Sequence, residues 1–213
     1  MTMLKRHLPL ATIAVAMLAL SVGAIAATDE NNPRGAGVPQ ITEIEPQARA
    51  AMAVLDRARG GGDALPTNLA SKMDAHADFG MNPGLSRRSI GNMSNSVYVV
   101  PANDHVCAVL TVGEGANVSC PTTEDIAAGQ AAAATVVLET GDVAIYGTAP
   151  DGAGSVAVQT GTTTSAAVAS EGNAYYTVVP AGTPLRTVEY TGPSGTVEFP
   201  IYDPSLILDD EEE

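Results

Sequence analysis

Cys107 and Cys120 are the two residues of this chain whose type and spacing most directly predict chemistry. A hairpin that turns on Gly113 and Glu114 would place Cys107 directly opposite Cys120. Pair types alternate outward from such a turn, so the cysteines would form a non-hydrogen-bonded pair with Cα atoms about 4.5 Å apart, close enough to bridge. The spacing therefore predicts one disulfide bond, which would stabilise the fold by about 3 kcal/mol.

A redox function for the same pair is the alternative. A reactive thiol needs a Cys-x-x-Cys spacing or a nearby cation that lowers its pKa, and the sequence around Cys107 and Cys120 provides neither. An even number of cysteines in an exported protein usually indicates structural bonds. The pattern favours a structural disulfide.

Acid–base and metal chemistry would depend on two histidines, His76 and His105, once the N-terminal segment is set aside. Asp74, His76 and Asp78 form a possible metal cluster in the sequence. On a helix, however, the two carboxylates share a face and the histidine between them points away. His105 follows Asp104 in a predicted turn, where exposure to solvent explains it. We therefore expect neither a metal nor a cofactor.

Motifs for nucleophilic catalysis are absent from the sequence, which contains no Gly-x-Ser-x-Gly. Gly152 to Ser155 is a predicted turn that enters a strand, whereas a nucleophile elbow leaves a strand for a helix. A carboxylate pair for glycoside hydrolysis could come from distant positions, but sugar sites usually add stacking aromatic rings and the chain has no Trp. A secreted hydrolase with a site assembled from dispersed residues stays open as an alternative.

The N-terminus has the pattern of a secretory signal. A basic start, an apolar stretch and small residues follow one another, namely Lys5-Arg6, residues 8–22, and Ala24 with Ala26. We predict cleavage between Ala26 and Ala27, which makes residues 1–26 a signal peptide and the protein secreted and extracytoplasmic. The alternative is an uncleaved N-terminal membrane anchor, since the uncharged run from Leu8 to Ala27 is about long enough to cross a bilayer. No apolar run further along the sequence is long enough to cross a bilayer, so no membrane span is expected after cleavage.

The chain is acidic, and its charge is unevenly distributed. Its 24 acidic and 10 basic residues give a formal net charge of −14. Nucleic acid is not an expected partner, because proteins bind phosphate backbones through Lys and Arg. Residues 95–204 contain eleven acidic residues and one basic residue, Arg186, whereas residues 40–88 contain equal numbers of each. This change predicts a domain boundary near residue 90.

The elements that would position these residues begin with a tether and two helices. Residues 27–40 are rich in Gly, Pro and Asn and are predicted to form a flexible tether. Over residues 41–90, apolar residues at helical spacing predict one helix from Pro46 past Leu55 and another from near Pro66. Both apolar faces are narrow, so we expect the helices to dock on the domain that follows.

Residues 95–204 have the pattern of a mainly β domain. Short β-branched runs alternate with Gly, Pro, Asn and Asp, which is typical of an antiparallel β-sandwich or meander. The predicted strands are 97–100, 105–112, 116–120, 132–138, 143–147, 155–160, 163–169, 174–179, 185–190 and 196–201. A short helix, capped by Thr122 and closed by Gly129, interrupts the series. Residues 205–213 are a predicted acidic tail in solvent.

Several short stretches occur together between residues 63 and 197. They are Asp63-Ala64-Leu65-Pro66, Asn82-Pro83, Ser86-Arg87-Arg88, Tyr98-Val99-Val100-Pro101, Val106-Cys107, Cys120, Tyr146-Gly147, Pro150-Asp151-Gly152, Ser155-Val156-Ala157-Val158, Asn173-Ala174-Tyr175 and Val188-Glu189-Tyr190. In combination they resemble a family of uncharacterised exported proteins from high-GC actinobacteria. The resemblance implies a bacterial, extracytoplasmic protein with a β-rich domain and one disulfide bond. It carries no activity over to this chain.

The expected function is that of a non-catalytic binding or structural module that acts outside the cytoplasm. The chain is poor in His, Lys and Arg and has no Trp, so side chains for catalysis are scarce. A protein or another component of the cell envelope is the expected partner. The secreted hydrolase and the membrane-anchored form are the alternatives.

Overall fold

The computed structural model describes residues 39–73, 79–91, 95–161, 163–165, 168–169, 171–192 and 195–204. The predicted signal peptide with its cleavage site, most of the tether and the acidic tail lie outside these ranges, as do Asp74, His76 and Asp78. The fold is mainly β, with 44% strand against 17% helix, and its sheets are antiparallel. The predicted fold class is confirmed.

The described residues form short helices and twelve strands. The helices are α1 (Pro46–Ala51), α2 (Ala53–Asp56), α3 (Thr67–Lys72) and α4 (Thr123–Ala127), and Pro83–Leu85 forms a 3-10 turn. The strands are β1 (Arg87–Gly91), β2 (Asn95–Pro101), β3 (Val106–Val112), β4 (Gly115–Ser119), β5 (Ala134–Val137), β6 (Val143–Thr148), β7 (Ser155–Thr160), β8 (Thr163–Thr164), β9 (Val168–Ala169), β10 (Ala174–Val179), β11 (Leu185–Gly192) and β12 (Gly195–Pro200).

The strands form three antiparallel sheets. The first sheet has the order β1-β2-β3-β4, and the central sheet has the order β10-β6-β5. The third sheet has the order β12-β11-β7-β8, with β9 also paired to β7. The chain leaves the central sheet after β6, builds β7 to β9 in the third sheet, and returns with β10. Residues that precede β7 and β10 are thereby brought to the same end of β6.

The central sheet is covered on both faces. One face contributes Tyr146 to a core that it shares with Val99 of the first sheet. The opposite face contributes Ile145 and Tyr175 to a core that it shares with Val188 of the third sheet. Strand β6 is therefore buried along its whole length, which explains why its sequence lacks the alternation of a half-exposed strand.

The hairpin between β3 and β4 has the predicted register. Val112 pairs with Gly115, and Gly113 has a φ of +54°, a conformation that glycine adopts without steric cost. Cys107 and Cys120 are joined by a disulfide bond, with Cα atoms 4.0 Å apart. The predicted disulfide is confirmed, and the Cys107 side chain is fully buried on the face of β3 that packs with α3.

The helix predicted from Pro46 past Leu55 is wrong in one respect, because it breaks at Met52. This residue has an extended backbone (φ −141°, ψ 97°) and separates α1 from α2. The carbonyl of Ala51 accepts a hydrogen bond from the amide of Asp151, and Met52 is fully buried in the core. A partner that is distant in sequence has replaced the local helical hydrogen bonds.

Strand β1 lies within the segment for which only helices were predicted. Arg87 pairs with Val99 and Gly91 with Ser96, with an irregularity between Arg88 and Ile90. Because of the two successive arginines and this irregularity, the sequence lacks the alternation of polar and apolar residues by which a strand is recognised. The predicted strand over residues 163–169 is likewise divided, since its described parts form β8 and β9.

The predicted caps of α4 are present. The Thr122 hydroxyl accepts a hydrogen bond from the amide of Asp125 at 3.1 Å, and Gly129 ends the helix with a φ of +83°.

His105 is less exposed to solvent than the sequence predicted. It is half-buried, its ring packs against Phe79 with centroids 5.0 Å apart, and its Nδ1 lies 2.7 Å from the carbonyl oxygen of Asn103.

Candidate functional site

The start of α2 is held by two side chains from the far end of β6 and the turn before β10. The carboxylate of Asp151 accepts the amide of Ala53, with oxygens 2.9 and 3.1 Å away. The side-chain oxygen of Asn173 accepts the amide of Val54 at 2.9 Å. We call this arrangement of Ala53, Val54, Asp151 and Asn173 the Asp151 junction. It caps a four-residue helix that has no cap of its own.

Asn173 occupies a special position in the junction. It is buried and has a φ of +63°, a left-handed conformation that Asn tolerates better than other residues with a Cβ atom. Its side-chain nitrogen donates to Asp151 at 2.7 Å and to the carbonyl of Ala149 at 3.1 Å. The oxygen and the nitrogen of the side-chain amide both form hydrogen bonds. The side chain thereby joins the start of α2, the end of β6 and the turn before β10.

A shallow pocket of about 360 Å³ lies over the junction. Among the described residues that line it, Arg57 is the one cation and Asp151 the one carboxylate. The rest of its wall is small, with Ala53, Gly152 and Gly172 among the lining residues. Both charged groups of the wall form hydrogen bonds within the chain, Asp151 with Ala53 and Asn173, and Arg57 with Asp63.

Arg57 also forms a bidentate ion pair with Asp63. Its Nη1 and Nη2 donate to the two carboxylate oxygens at 2.7 and 2.6 Å, and the amides of Gly60 and Arg88 add two further donors. The side chain of Asp63 is 5% exposed, whereas that of Arg57 is 42% exposed. Asp63 therefore fixes the loop over residues 57–63 against β1.

These donors lower the pKa of the Asp63 carboxyl. The hydrogen bonds from Arg57 hold the pKa of the Asp63 carboxyl well below its usual range, against the opposing effect of burial, and the amides of Gly60 and Arg88 lower it further. The charge of Arg57 also acts in the same direction. Asp63 stays ionised and thus keeps Arg57 in place.

Arg87 is buried beneath this loop and is held by backbone carbonyls. Its Nε donates to the carbonyl of Arg57 at 3.1 Å, and its Nη1 donates to those of Leu85 and Ser86 at 2.9 and 3.1 Å. Burial lowers the pKa of Arg87, and the nearby Asp63 opposes that shift. No carboxylate among the described residues forms a hydrogen bond to this guanidinium.

Other arginines influence Arg87 or lie close in sequence to it. The positive charges of Arg57, Arg59 and Arg49 also lower its pKa. The guanidinium of Arg88 lies against the Cα atom of Gly62, where a Cβ atom would be 2.7 Å from its Nη2. We call Arg57, Arg87 and Arg88, which hydrogen bonds join through Asp63 and the backbone, the arginine patch.

The disulfide lies away from this region of the core. Cys107 packs with Leu65 and Met73 in a cluster separate from the one that contains α1 and α2.

No three metal-binding side chains come together anywhere in the described ranges. None of the helices in those ranges is long and apolar enough to cross a membrane.

Comparison of the chain with protein-family models, with curated proteins and with solved structures found no match.

The sequence pattern assigned no site role to Asp151, Arg57 or Asp63. The Pro150-Asp151-Gly152 stretch forms a turn, in which the amide of Ala153 donates to the carbonyl of Pro150 at 3.3 Å. A turn carboxylate is a common helix cap. The one available signal for the arginine patch was the concentration of basic residues before residue 90.

Proposed function

We propose that this protein is an exported, non-catalytic module that binds a component of the cell envelope by surface contact. The observation that carries the proposal is the separation of charge. Arg57, Arg87 and Arg88 are joined around Asp63, while residues 95–204 contain eleven acidic residues and one basic residue. The described arginines other than Arg186 therefore all lie before residue 90, and interface residues commonly include Arg.

The chemistry of the pocket supports binding over catalysis. A catalytic acid or base must be able to exchange a proton with a substrate. Here the carboxylate of Asp151 accepts two amide groups, from Ala53 and from the side chain of Asn173. The carboxylate of Asp63 accepts hydrogen bonds from Arg57 and from two backbone amides. Both groups act as links within the protein, which leaves the exposed arginines for an external partner.

The proposal is tested with protein purified from the medium of an exporting actinobacterial culture. Mass spectrometry is expected to give Ala27 as the first residue. The purified protein is then expected to sediment with isolated cell envelopes and to stay in the supernatant without them. Protein that retains residues 1–26, or that never sediments with envelopes at low salt, would overturn the proposal. Hydrolysis of envelope material by the pure protein would favour the secreted hydrolase.

A further inference from the structure

Strand β5 forms one edge of the central sheet, and no described strand is hydrogen-bonded to its outer side. Residues of an antiparallel strand alternate between bonding to the neighbouring strand and pointing away from it. The amide of Leu138 donates to the carbonyl of Asp142, just before β6, so Val136, two residues earlier, also bonds to β6. Thr135 and Val137 therefore direct their backbone N–H and C=O groups away from β6.

This edge lacks the features that usually keep an unpaired strand from pairing with another chain. Proteins protect such edges with charged side chains, with Pro or with a covering segment. The outer side of β1 is covered, since Asp63 accepts the amide of Arg88, and β12 carries an exposed Glu198 and ends at Pro200. Strand β5 has the sequence Ala-Thr-Val-Val, and the side chain of Val137 is 46% exposed.

The chain passes next to β5 at the last residues that the structure describes. The Thr135 hydroxyl donates to the carbonyl of Tyr202 at 2.9 Å, and the side chain of Tyr202 is 53% exposed. The amide of Leu185 donates to the carboxylate of Asp203 at 3.0 Å. The backbone just before Pro204 is thus fixed beside β5, and the segment that follows it starts there.

The sequence directly after Pro204 suits an edge strand. It reads Ser205-Leu206-Ile207-Leu208 and is followed by five acidic residues. An extended chain advances about 3.3 Å per residue and neighbouring strands lie about 4.8 Å apart, so residues 206–208 can reach the outer side of β5. Three successive large apolar side chains are also costly to leave in water.

We propose that residues 205–208 add to the central sheet as a strand along the outer edge of β5, and that they thereby keep a second copy of this chain from pairing there. Their backbone bonds to Thr135 and Val137, and their apolar side chains shield that of Val137. This inference goes beyond the proposed function and does not depend on it. It limits the predicted acidic tail in solvent to residues 209–213, whose charges oppose the addition of a further strand.

Amide hydrogen exchange, followed by NMR on the full exported protein, tests this pairing. The amides of Thr135 and Val137 should exchange at least about tenfold more slowly in the full chain than in a chain that stops after Pro204. Val136 is the internal control, because its amide bonds to β6 in both proteins. The shortened chain should also sediment partly as a dimer at a concentration where the full chain is monomeric. A shortened chain that stays monomeric would overturn the protective role.

Two triple variants of the full chain separate the apolar residues from the acidic ones, and protection of Val136 verifies that each is folded. They are Leu206→Ser, Ile207→Ser, Leu208→Ser and, as the matched control, Glu211→Ser, Glu212→Ser, Glu213→Ser. The first should lose the protection of the Thr135 and Val137 amides, and the second should keep it. Equal exchange of these amides in the full and the shortened chain would overturn the inference. Protection that increases with protein concentration would overturn it in favour of a second copy at this edge.

Discussion

The guanidinium of Arg57 and the carboxylate of Asp63 face each other through two parallel hydrogen bonds, at 2.7 and 2.6 Å. One partner is nearly buried and the other is partly exposed. Solvent therefore weakens the ion pair itself. The amides of Gly60 and Arg88 add hydrogen bonds that do not depend on Arg57. Asp63 contributes to stability as the centre of a set of four donors.

Asp63→Asn is expected to lower the free energy of unfolding by about 2 kcal/mol at neutral pH, because the amide nitrogen cannot accept two of the four donors. The pKa of Asp63 is lower in the folded protein than in the unfolded chain. Its contribution is therefore complete above about pH 4 and declines as the pH falls further. Urea unfolding from pH 3 to pH 7 should show the two proteins converging at the acid end. Asp56→Asn, at an exposed position of α2, is the control, and a difference that grows towards low pH would contradict the assignment.

Asp151→Ala should destabilise the protein by about 1–2 kcal/mol, since it removes the cap of α2 and a hydrogen-bond partner of Asn173. Chemical denaturation measures the change. Glu171→Ala removes the same charge from an exposed neighbouring position and should have a much smaller effect. Equal effects of the two changes would mean that net charge, and not the cap, determines the result.

Two substitutions at Asn173 separate its backbone from its side chain. Both Asn173→Gly and Asn173→Ala remove the hydrogen bonds to Val54, Ala149 and Asp151. Only Ala retains a Cβ atom at the positive φ of 63°, so it should be less stable than Gly by about 1 kcal/mol. Thermal unfolding of the pair is the measurement. An Ala variant as stable as the Gly variant would show that the left-handed conformation relaxes at little cost.

Replacing Cys107 and Cys120 together by Ala is expected to reduce stability by about 3 kcal/mol while the fold is retained. The bridge closes a short hairpin and restricts mainly the unfolded chain. Thiol labelling of the native, unreduced protein should modify neither cysteine. Two labelled thiols in the exported protein, or a double variant that is as stable as the original, would contradict a structural role.

Elements that depend on local pattern were predictable. Val143 to Gly147 is an apolar run bounded by turn residues, and it is strand β6. The register of the β3–β4 hairpin followed from Gly113 and the spacing of two cysteines, because a two-residue turn leaves little freedom in pairing.

The features that escaped prediction depend on contacts between distant residues. Met52 sits in a helical pattern, yet its neighbours bond to Asp151, and no local signal reports that partner. The arginine patch forms because the loop around Arg57 folds against β1 through Asp63. The linear sequence shows equal numbers of acidic and basic residues over residues 40–88 and does not show which of them come together.

The partners of α2 lie 98 and 119 residues further along the chain than the amides they accept. A polypeptide is made from its N-terminus, so the first helices emerge long before Asp151 and Asn173 exist to receive those amides. Contacts between such distant residues are also slow to form, because a long loop must close first. We therefore expect the hydrogen bonds at the start of α2 to form only after the turn that precedes β10 has been made. Chains cut short before that turn would leave the amides of Ala53 and Val54 without one or both of these partners.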